Sequence, residues 1–404
     1  MPVITTPKIL LPNSSVDMNK WASVACDQFC AEPKYWEELE ALVGDAPSTL
    51  KLTLPEIYLK GDLNSMVSAI NSNMHAYINS GILEEVNNYI LVERSVGKEK
   101  RIGVMVALDL DSYDWNRVRV PVRATEATIM ERLPVRIDIR SKAPIELPHA
   151  MILIDDKEHT VIEPMYAEKD SFEKVYDFDL NMGGGHITGY KVPENSGLEE
   201  RLNALLEPSL QVAKYGNDAG ILMAVGDGNH SIATAKVMWE KVAPTLTEEE
   251  KATHPARYAL VEVVNIYGGG MVFEPIHRII FNADNLFVEK MKRVLEGSGR
   301  TTLITAEGDR EIATPATSSL AINAIQEFIE REASLNPKLE IEYVHNTDRL
   351  RAIVAEEGGV GIIMPTFATE ELFPYVVNVG NLPKKSFSIG EPEEKRYYLE
   401  AKKI

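Results

Sequence analysis

The stretch GILMAVGDGNHSIATAKVMWEKV, residues 220–242, decides how the chain is read. GILMAV (220–225) is a short apolar run with the length of one buried strand. GDGN is a tight turn, because Gly226 and Gly228 permit the positive φ that sharp turns need. HSIATAKVMWEKV then follows as a helix. A strand, a glycine turn and a helix in that order make one unit of an α/β sheet. The amides that open such a helix lack partners within it and point outward, which makes a seat for phosphate. Asp227 suits that seat as a ligand for a cation, as a proton acceptor or as a helix cap, and His230 and Ser231 add a second polar layer. The same residues also suit a plain β–α turn in which glycine is geometric and Asp227 or Asn229 is the N-cap.

Working outward, helical and extended patterns alternate along the chain. EPKYWEELEALV (32–43) opens with Pro33 in its first turn and spaces Tyr35, Leu39 and Leu42 for one helix face. DLNSMVSAINSNMHAYINSG (62–81) has Asp62 as N-cap, a stripe of Met66, Ile70 and Met74, and Gly81 as its stop. YILVERSV and RIGVMVALDL read as two strands joined by GKEK, and MILIDD (151–156) as another. Ser196 and Glu199 form a capping box for LEERLNALLE, which Pro208 ends. ALVEVVNIY (259–267) and MVFEPIHRIIF (271–281) are strands, followed by a helix at SSLAINAIQEFIERE and a strand at LEIEYVH. The charged end, EPEEKRYYLEAKKI, alternates too irregularly to assign. The expected fold is α/β or α+β with a mixed central sheet. Its main unit is expected over 1–300 and a smaller C-terminal α/β segment over 301–404, with the boundary near 283–302, where Gly297 and Gly299 follow a helix.

The 404 residues, 45% hydrophobic and 25% charged, suit two or three folded domains rather than a disordered chain. A net charge of −19 repels phosphate backbones and argues against binding long nucleic acid, though not against a small anion held by a few aimed donors. No apolar run reaches the roughly 20 residues a membrane span needs, and the start lacks the pattern of an export signal. Cys26 and Cys30, one helical turn apart, match neither a redox pair nor a zinc knuckle and read as reduced packing residues near Trp21 and Phe29. The expectation is a cytoplasmic protein, with monomer or homo-oligomer left open.

Four further segments carry candidate groups. RATEATIMERLPVRIDIR (123–140) gathers Arg123, Arg132, Arg136 and Arg140 around Glu126 and Glu131. Such arginines suit an anion, and a carboxylate among them stays ionised for a metal or a proton; a surface lattice of ion pairs is the plainer reading. NMGGGHITGYKV (181–192) reads as a flexible hairpin end around His186. EPIHRII (274–280) sets His277 and Arg278 beside a strand, for an anion or simply in a turn. LPKKSFS (382–388) places Lys384, Lys385 and Ser386 in a loop, as a phosphate clamp or a solvated basic patch. The chain has no G-x-x-x-x-G-K-[ST] loop, no G-x-S-x-G elbow and no H-E-x-x-H, so P-loop, serine hydrolase and zincin chemistries have no foothold, and GDGNHS fails the dinucleotide fingerprint at its last position.

WASVACDQF, TEAT within RATEATIMER, VGDGNHSIATAK, EPIHRII and LPKKS occur in this order along most of the chain. Together they resemble the bacterial and archaeal domain of unknown function 1015 family, which is linked to free-serine kinases of the ParB/sulfiredoxin-like superfamily. The family's commonest loop reads A-D-G-H-H-R; here Asp227, Gly228 and His230 match it, while Asn229 stands for the first histidine and Ser231 for the arginine. Its usual R-H-E-x-T is here Arg123-Ala124-Thr125-Glu126-Ala127-Thr128. The resemblance implies a ParB/sulfiredoxin-like nucleotide-binding core and an ATP- or ADP-dependent kinase of free L-serine giving O-phosphoserine. Phosphates would then lie on Gly226, Gly228, Asn229 and Ser231, with Arg123, His277, Arg278 and Lys385 as further contacts. Mg²⁺ would sit at Asp227 or Glu126, either of which would accept the hydroxyl proton, and His230 would stabilise the transferring oxygens. The alternative is a nucleotide-binding regulatory protein without turnover, which the serine in place of the loop arginine favours.

Overall fold

The computed structural model describes residues 2–96, 99–116, 119–128, 133–193 and 195–404. The chain divides into two compact units, one of 1–124, 128–271 and 391–404, the other of 125–127 and 272–390. The segment 283–302 lies inside the second unit and contains the Asn285–Val294 helix.

The first unit is built on a mixed ten-stranded sheet. Its main strands are β1 (Ile90–Val96), β2 (Glu99–Asp109), β3 (Tyr113–Asp114), β4 (Val122–Ala124), β5 (Met151–Ile154), β6 (Lys174–Asp179), β7 (His186–Lys191), β8 (Met223–Asp227) and β9 (Tyr258–Asn265). They lie in the order β6-β7-β1-β2-β9-β5-β8-β4-β3, with Ile4–Thr5 also paired to β2. The pairs β5/β9, β8/β4 and β3/β4 are parallel, and the others along this path are antiparallel. Both faces of the sheet are covered, so its central strands carry apolar residues at successive positions rather than alternating ones. Val104, Val106, Leu108, Val261 and Val263 join one core, in which the helix α4 (Asn229–Val242) buries Ile232, Ala235 and Trp239. Met105, Leu260, Ile90 and Val92 join the other, under α1 (Pro33–Val43) and α2 (Leu63–Asn79).

The local expectations hold in type and shift in detail. Asp62 caps α2 by accepting from the Ser65 amide, and Gly81 follows at φ +71°. The buried face of α1 is Trp36, Leu39 and Val43: Leu39 is as expected, Trp36 and Val43 take the places of Tyr35 and Leu42, and Leu42 is exposed. The Leu198–Ala204 helix is capped by Gly197 without a side-chain bond; Glu199 instead accepts from the Tyr89 hydroxyl at 2.7 Å. Pro208 begins a second helix, Pro208–Tyr215, because proline needs no amide partner at a first helical position. Residues 97 and 98 of the GKEK turn lie outside the described residues.

The largest departure is the C-terminal segment. Rather than an irregular tail, it forms Tyr397–Tyr398, paired with Ser23–Val24, and Ala401–Lys403, paired with Lys8–Pro12 and Ile145–Glu146. Arg396 is buried against the sheet, 3.0 Å from Glu262 of β9 and ion-paired with Glu400. Glu400 also accepts from the Tyr176 hydroxyl at 2.6 Å. Gly103 of β2 makes room for this group: a Cβ there would meet Glu262 Oε1 at 2.3 Å. Arg94 donates to the carbonyls of Glu393 and Lys395, and Arg101 to that of Glu394. The Trp21 indole donates to the Leu399 carbonyl at 2.8 Å.

The second unit holds a five-stranded antiparallel sheet. Its strands are β10 (His277–Phe281), β11 (Gly299–Thr305), β12 (Gly308–Thr314), β13 (Glu340–Val344) and β14 (Val360–Ile362), in the order β12-β11-β14-β10-β13. The Ser318–Leu335 helix buries Ile322, Ile325, Phe328 and Ile329 within this unit, with Phe287 edge-on to Phe328. No helix among the described residues is long and apolar enough to cross a membrane.

Arg396→Met leaves Glu262 and Glu400 buried without their cation, so it should lower the unfolding free energy by about 3–5 kcal/mol in urea denaturation. Replacing all three charged residues by uncharged ones of similar volume should cost less than this single change.

Candidate functional site

The strand–turn–helix forms as read, with the strand shifted toward the C-terminus: β8 starts at Met223, three residues later than expected, and runs through Asp227, two residues later. Gly226 therefore lies within the strand, and of the two glycines only Gly228 takes left-handed backbone, at φ +77°. Gly228 is also pressed onto a neighbouring segment, since a Cβ there would stand 2.7 Å from the Ala150 Cα. It caps α4 without a side-chain hydrogen bond of its own. Neither Asp227 nor Asn229 is the cap. Asp227 accepts from the Gly228 amide at 2.8 Å. Asn229 Oδ1 is buried and accepts no hydrogen bond. His230 and Ser231 follow in the first turn, both half-buried.

Lys395 of the C-terminal segment completes this turn. Its ammonium stands 3.2 Å from Asp227 Oδ2, with only 8% of the side chain exposed. Asp227 is also among the charges acting on the buried Arg101, whose pKa burial pulls below the ordinary guanidinium value. The turn thus carries one carboxylate balanced by fixed cations at the positive end of a 14-residue helix. Among the described residues there is no group of three or more ligating side chains for a metal ion.

Arg123 lies in β4, register partner of Ala224 in β8. Its guanidinium donates to the Ala219 carbonyl at 2.6 Å and the Val120 carbonyl at 3.2 Å, so its fixed partners are backbone oxygens. Arg136 pairs with Glu56, and Arg140 with Glu146 at 2.7 Å. Glu131 and Arg132 lie outside the described residues. The three described arginines of this segment therefore do not converge on one carboxylate.

Glu126, His277, Arg278 and Lys385 belong to the second unit. Glu126 accepts the backbone amides of Lys385 at 3.3 Å and Ser386 at 3.1 Å, and Leu382 N–H donates to the Thr125 carbonyl at 2.7 Å. Segment 125–127 thereby holds the 382–386 loop, in which Lys385 adopts φ +60°. Arg278 is fully buried, donates to Gln326 and lies 4.7 Å from the Tyr343 ring centroid. Burial brings it down to about 10, and Glu126 acts in the opposite direction. His277 accepts the Met364 amide at Nδ1 (3.1 Å), so its Nε2 carries the proton shared with Thr347 at 2.9 Å. Burial, with Arg278 and His345 nearby, lowers its pKa to about 4. The GGGH segment is a hairpin end: Gly184 packs on Tyr397, and His186 bonds Asp177 and Asp179, each at 2.7 Å.

The fold and this turn define a mixed α/β protein of two units with a glycine-capped helix N-terminus at the end of a central strand. Over residues 10–362 the chain matches the family described as protein of unknown function DUF1015, and it belongs to that family. No curated protein sequence matches it significantly. Among solved structures it is similar to a mutant free serine kinase in complex with ADP, at 12% identity and TM-score 0.40, covering 74% of this chain and 91% of that one. It is also similar to a conserved hypothetical protein from Pyrococcus furiosus, at 12% identity and TM-score 0.37, covering 73% and 93%. A third likeness is to SbnI with a C-terminal truncation from Staphylococcus aureus, at 9% identity and TM-score 0.36, covering 71% and 83%.

Gly228→Ala combines the left-handed backbone with a backbone clash at Ala150 and should destabilise the protein by more than about 1–2 kcal/mol in thermal unfolding. His277 is held neutral in the folded state, so the unfolded chain binds the extra proton first as pH falls. Stability should decline from about pH 6.5 down to about pH 4, by up to about 1.4 kcal/mol per pH unit, and His277→Gln should remove that slope.

Proposed function

We propose that the first turn of α4, with Asp227 and Lys395, seats the phosphates of a nucleotide, and that the chain is a small-molecule phosphotransferase using ATP or ADP. The observation that carries this reading is the glycine cap. Gly228 caps the positive end of α4 with backbone alone, the Asp227 carboxylate accepts the Gly228 amide there, and Lys395 stands beside that carboxylate. Asn229 Oδ1, at the first residue of α4, is buried and accepts no hydrogen bond. Phosphate oxygens on that turn would share the Lys395 ammonium with Asp227 through charge-assisted bonds.

In the transfer step a substrate hydroxyl oxygen attacks the terminal phosphorus, and a new P–O bond forms. The P–O bond to the bridging oxygen breaks and the departing nucleotide keeps the electron pair. The hydroxyl proton passes to Asp227. The donor set fits Mg²⁺ only as an ion carried on the nucleotide and touching Asp227, because one carboxylate plus phosphate oxygens meets its needs. Bound there, Mg²⁺ supplies neutralisation of phosphate charge. The family resemblance implies free L-serine as the acceptor and O-phosphoserine as the product.

Ser231 favours a second reading, a nucleotide-binding regulator without turnover, because a hydroxyl supplies none of the charge that an arginine brings to a transferring phosphoryl group.

Calorimetric titration with ATP and ADP in the presence of Mg²⁺ should show binding, and Lys395→Met should weaken it about tenfold to a hundredfold. Asp227→Asn should lower turnover, followed by mass spectrometry of the phosphorylated product, by about a hundredfold or more. Binding without product supports the regulatory reading. Absence of binding to either nucleotide removes both.

A further inference from the structure

The first unit contains a cavity of about 140 Å³ that the turn at 226–231 does not account for. The helix α3 (Leu133–Ser141) lines it with Val135, Arg136, Ile139 and Arg140, the spacing of one helical face. Leu52, Leu54, Met74 and Leu260 are buried along its wall. An apolar cavity of about 150 Å³ is large enough for benzene, so this one suits a body of about six to nine non-hydrogen atoms.

The charges around the cavity are unevenly shared. Arg136 has Glu56 as its ion-pair partner, and the negative charge of Asp27 acts on it as well. One helical turn on, Arg140 stands 2.7 Å from Glu146. That carboxylate also lies 3.6 Å from Lys402 and accepts the Leu260 amide at 2.8 Å. Burial works to raise the Glu146 carboxyl, and Arg140 and Lys402 together hold it below its usual value. Two cations therefore share one carboxylate at the Arg140 end, and among the described residues one positive charge there has no counterpart of its own. The anionic charge gathers instead at the Arg136 end, on Glu56 and Asp27.

Of the two cations, Lys402 is committed: it is buried and donates to the carbonyls of Pro255 at 2.9 Å and Lys403 at 2.7 Å. Arg140 is not. Its guanidinium makes no hydrogen bond among the described residues; the approach of Nη2 to Glu146 lacks hydrogen-bond geometry, and that nitrogen has no other acceptor. The planar fork of N–H donors on an arginine matches a carboxylate.

We infer that this cavity is a small-molecule site for a compact carboxylate with an apolar body, received by the Arg140 guanidinium, with its hydrocarbon part on Val135, Ile139 and the buried leucines. The carboxylate is that of a simple carboxylic acid or of an α-amino acid, whose ammonium would face the Glu56 end. Ser231 and Ile232 at the start of α4 line the same cavity, but occupancy here requires no nucleotide.

The test titrates the full chain, without nucleotide, with valerate, 1-pentanol and L-norvaline, which share a carbon skeleton and differ in their polar groups. Binding is followed by ligand-observed NMR and thermal shift. Valerate should bind at least about tenfold more tightly than 1-pentanol, and Arg140→Met should weaken valerate about tenfold or more while leaving 1-pentanol within about twofold. Lys402 and the Leu260 amide still hold Glu146 in that variant, so it should fold. If circular dichroism shows that it does not, Ile139→Trp, which fills the cavity, should weaken valerate about tenfold or more in its place. Tighter binding of L-norvaline than of valerate, with the same loss in the variant, assigns the site to an amino acid; the reverse order assigns it to a simple carboxylic acid. Binding of 1-pentanol as tight as valerate, carboxylate binding unchanged in a folded variant, or no binding of either carboxylate overturns the inference.

Discussion

Arg396 is the group on which the first unit depends. A carboxylate in the middle of a covered sheet is prohibitive unless a cation meets it, and Glu262 of β9 is such a carboxylate. Arg396 meets it at 3.0 Å and pairs with Glu400 on the same segment. The pair fixes where residues 391–404 run, and Arg94 and Arg101 hold the carbonyls of Glu393, Glu394 and Lys395 on either side of the same path. Because the first unit is assembled from 1–124, 128–271 and 391–404, it is complete only when the last residues of the chain are in place.

That constraint reaches the turn at 226–231. Lys395 is carried to Asp227 by its neighbours Glu394 and Arg396, which are themselves tied to β2 and β9. The helix N-terminus, the carboxylate and the ammonium are therefore held by backbone and buried ion pairs rather than by flexible surface side chains. A preset arrangement of this kind suits electrostatic work on an anion, since it needs little rearrangement when charge arrives.

Much of the fold was legible because periodicity reports burial. The apolar runs at 89–96 and 101–110 became central strands, Asp62 capped its helix, and 220–242 gave a strand, a glycine turn and a helix. The ends of elements were less legible, because long-range packing settles them: Pro208 opens a helix rather than closing one, and Glu199 is drawn to Tyr89 instead of its own helix end. At the candidate site Gly228 was legible from its turn chemistry. Lys395 was not, because EPEEKRYYLE has no period of its own and its order comes from partners such as Arg94, Arg101 and Glu262, distant in sequence. Arg123, Arg136 and Arg140 show the converse: sequence proximity gathered them, and the fold sent them to separate partners.

The central claim is that nucleotide phosphates sit on the first turn of α4 beside Lys395. Hydrogen–deuterium exchange read by mass spectrometry, with and without saturating Mg²⁺–ATP, tests it most directly. The account predicts added protection in peptides spanning 226–236 and 391–397, with the change at both lost in Lys395→Met at the same nucleotide concentration. Protection confined to other segments, or exchange in these two unchanged by nucleotide, contradicts it.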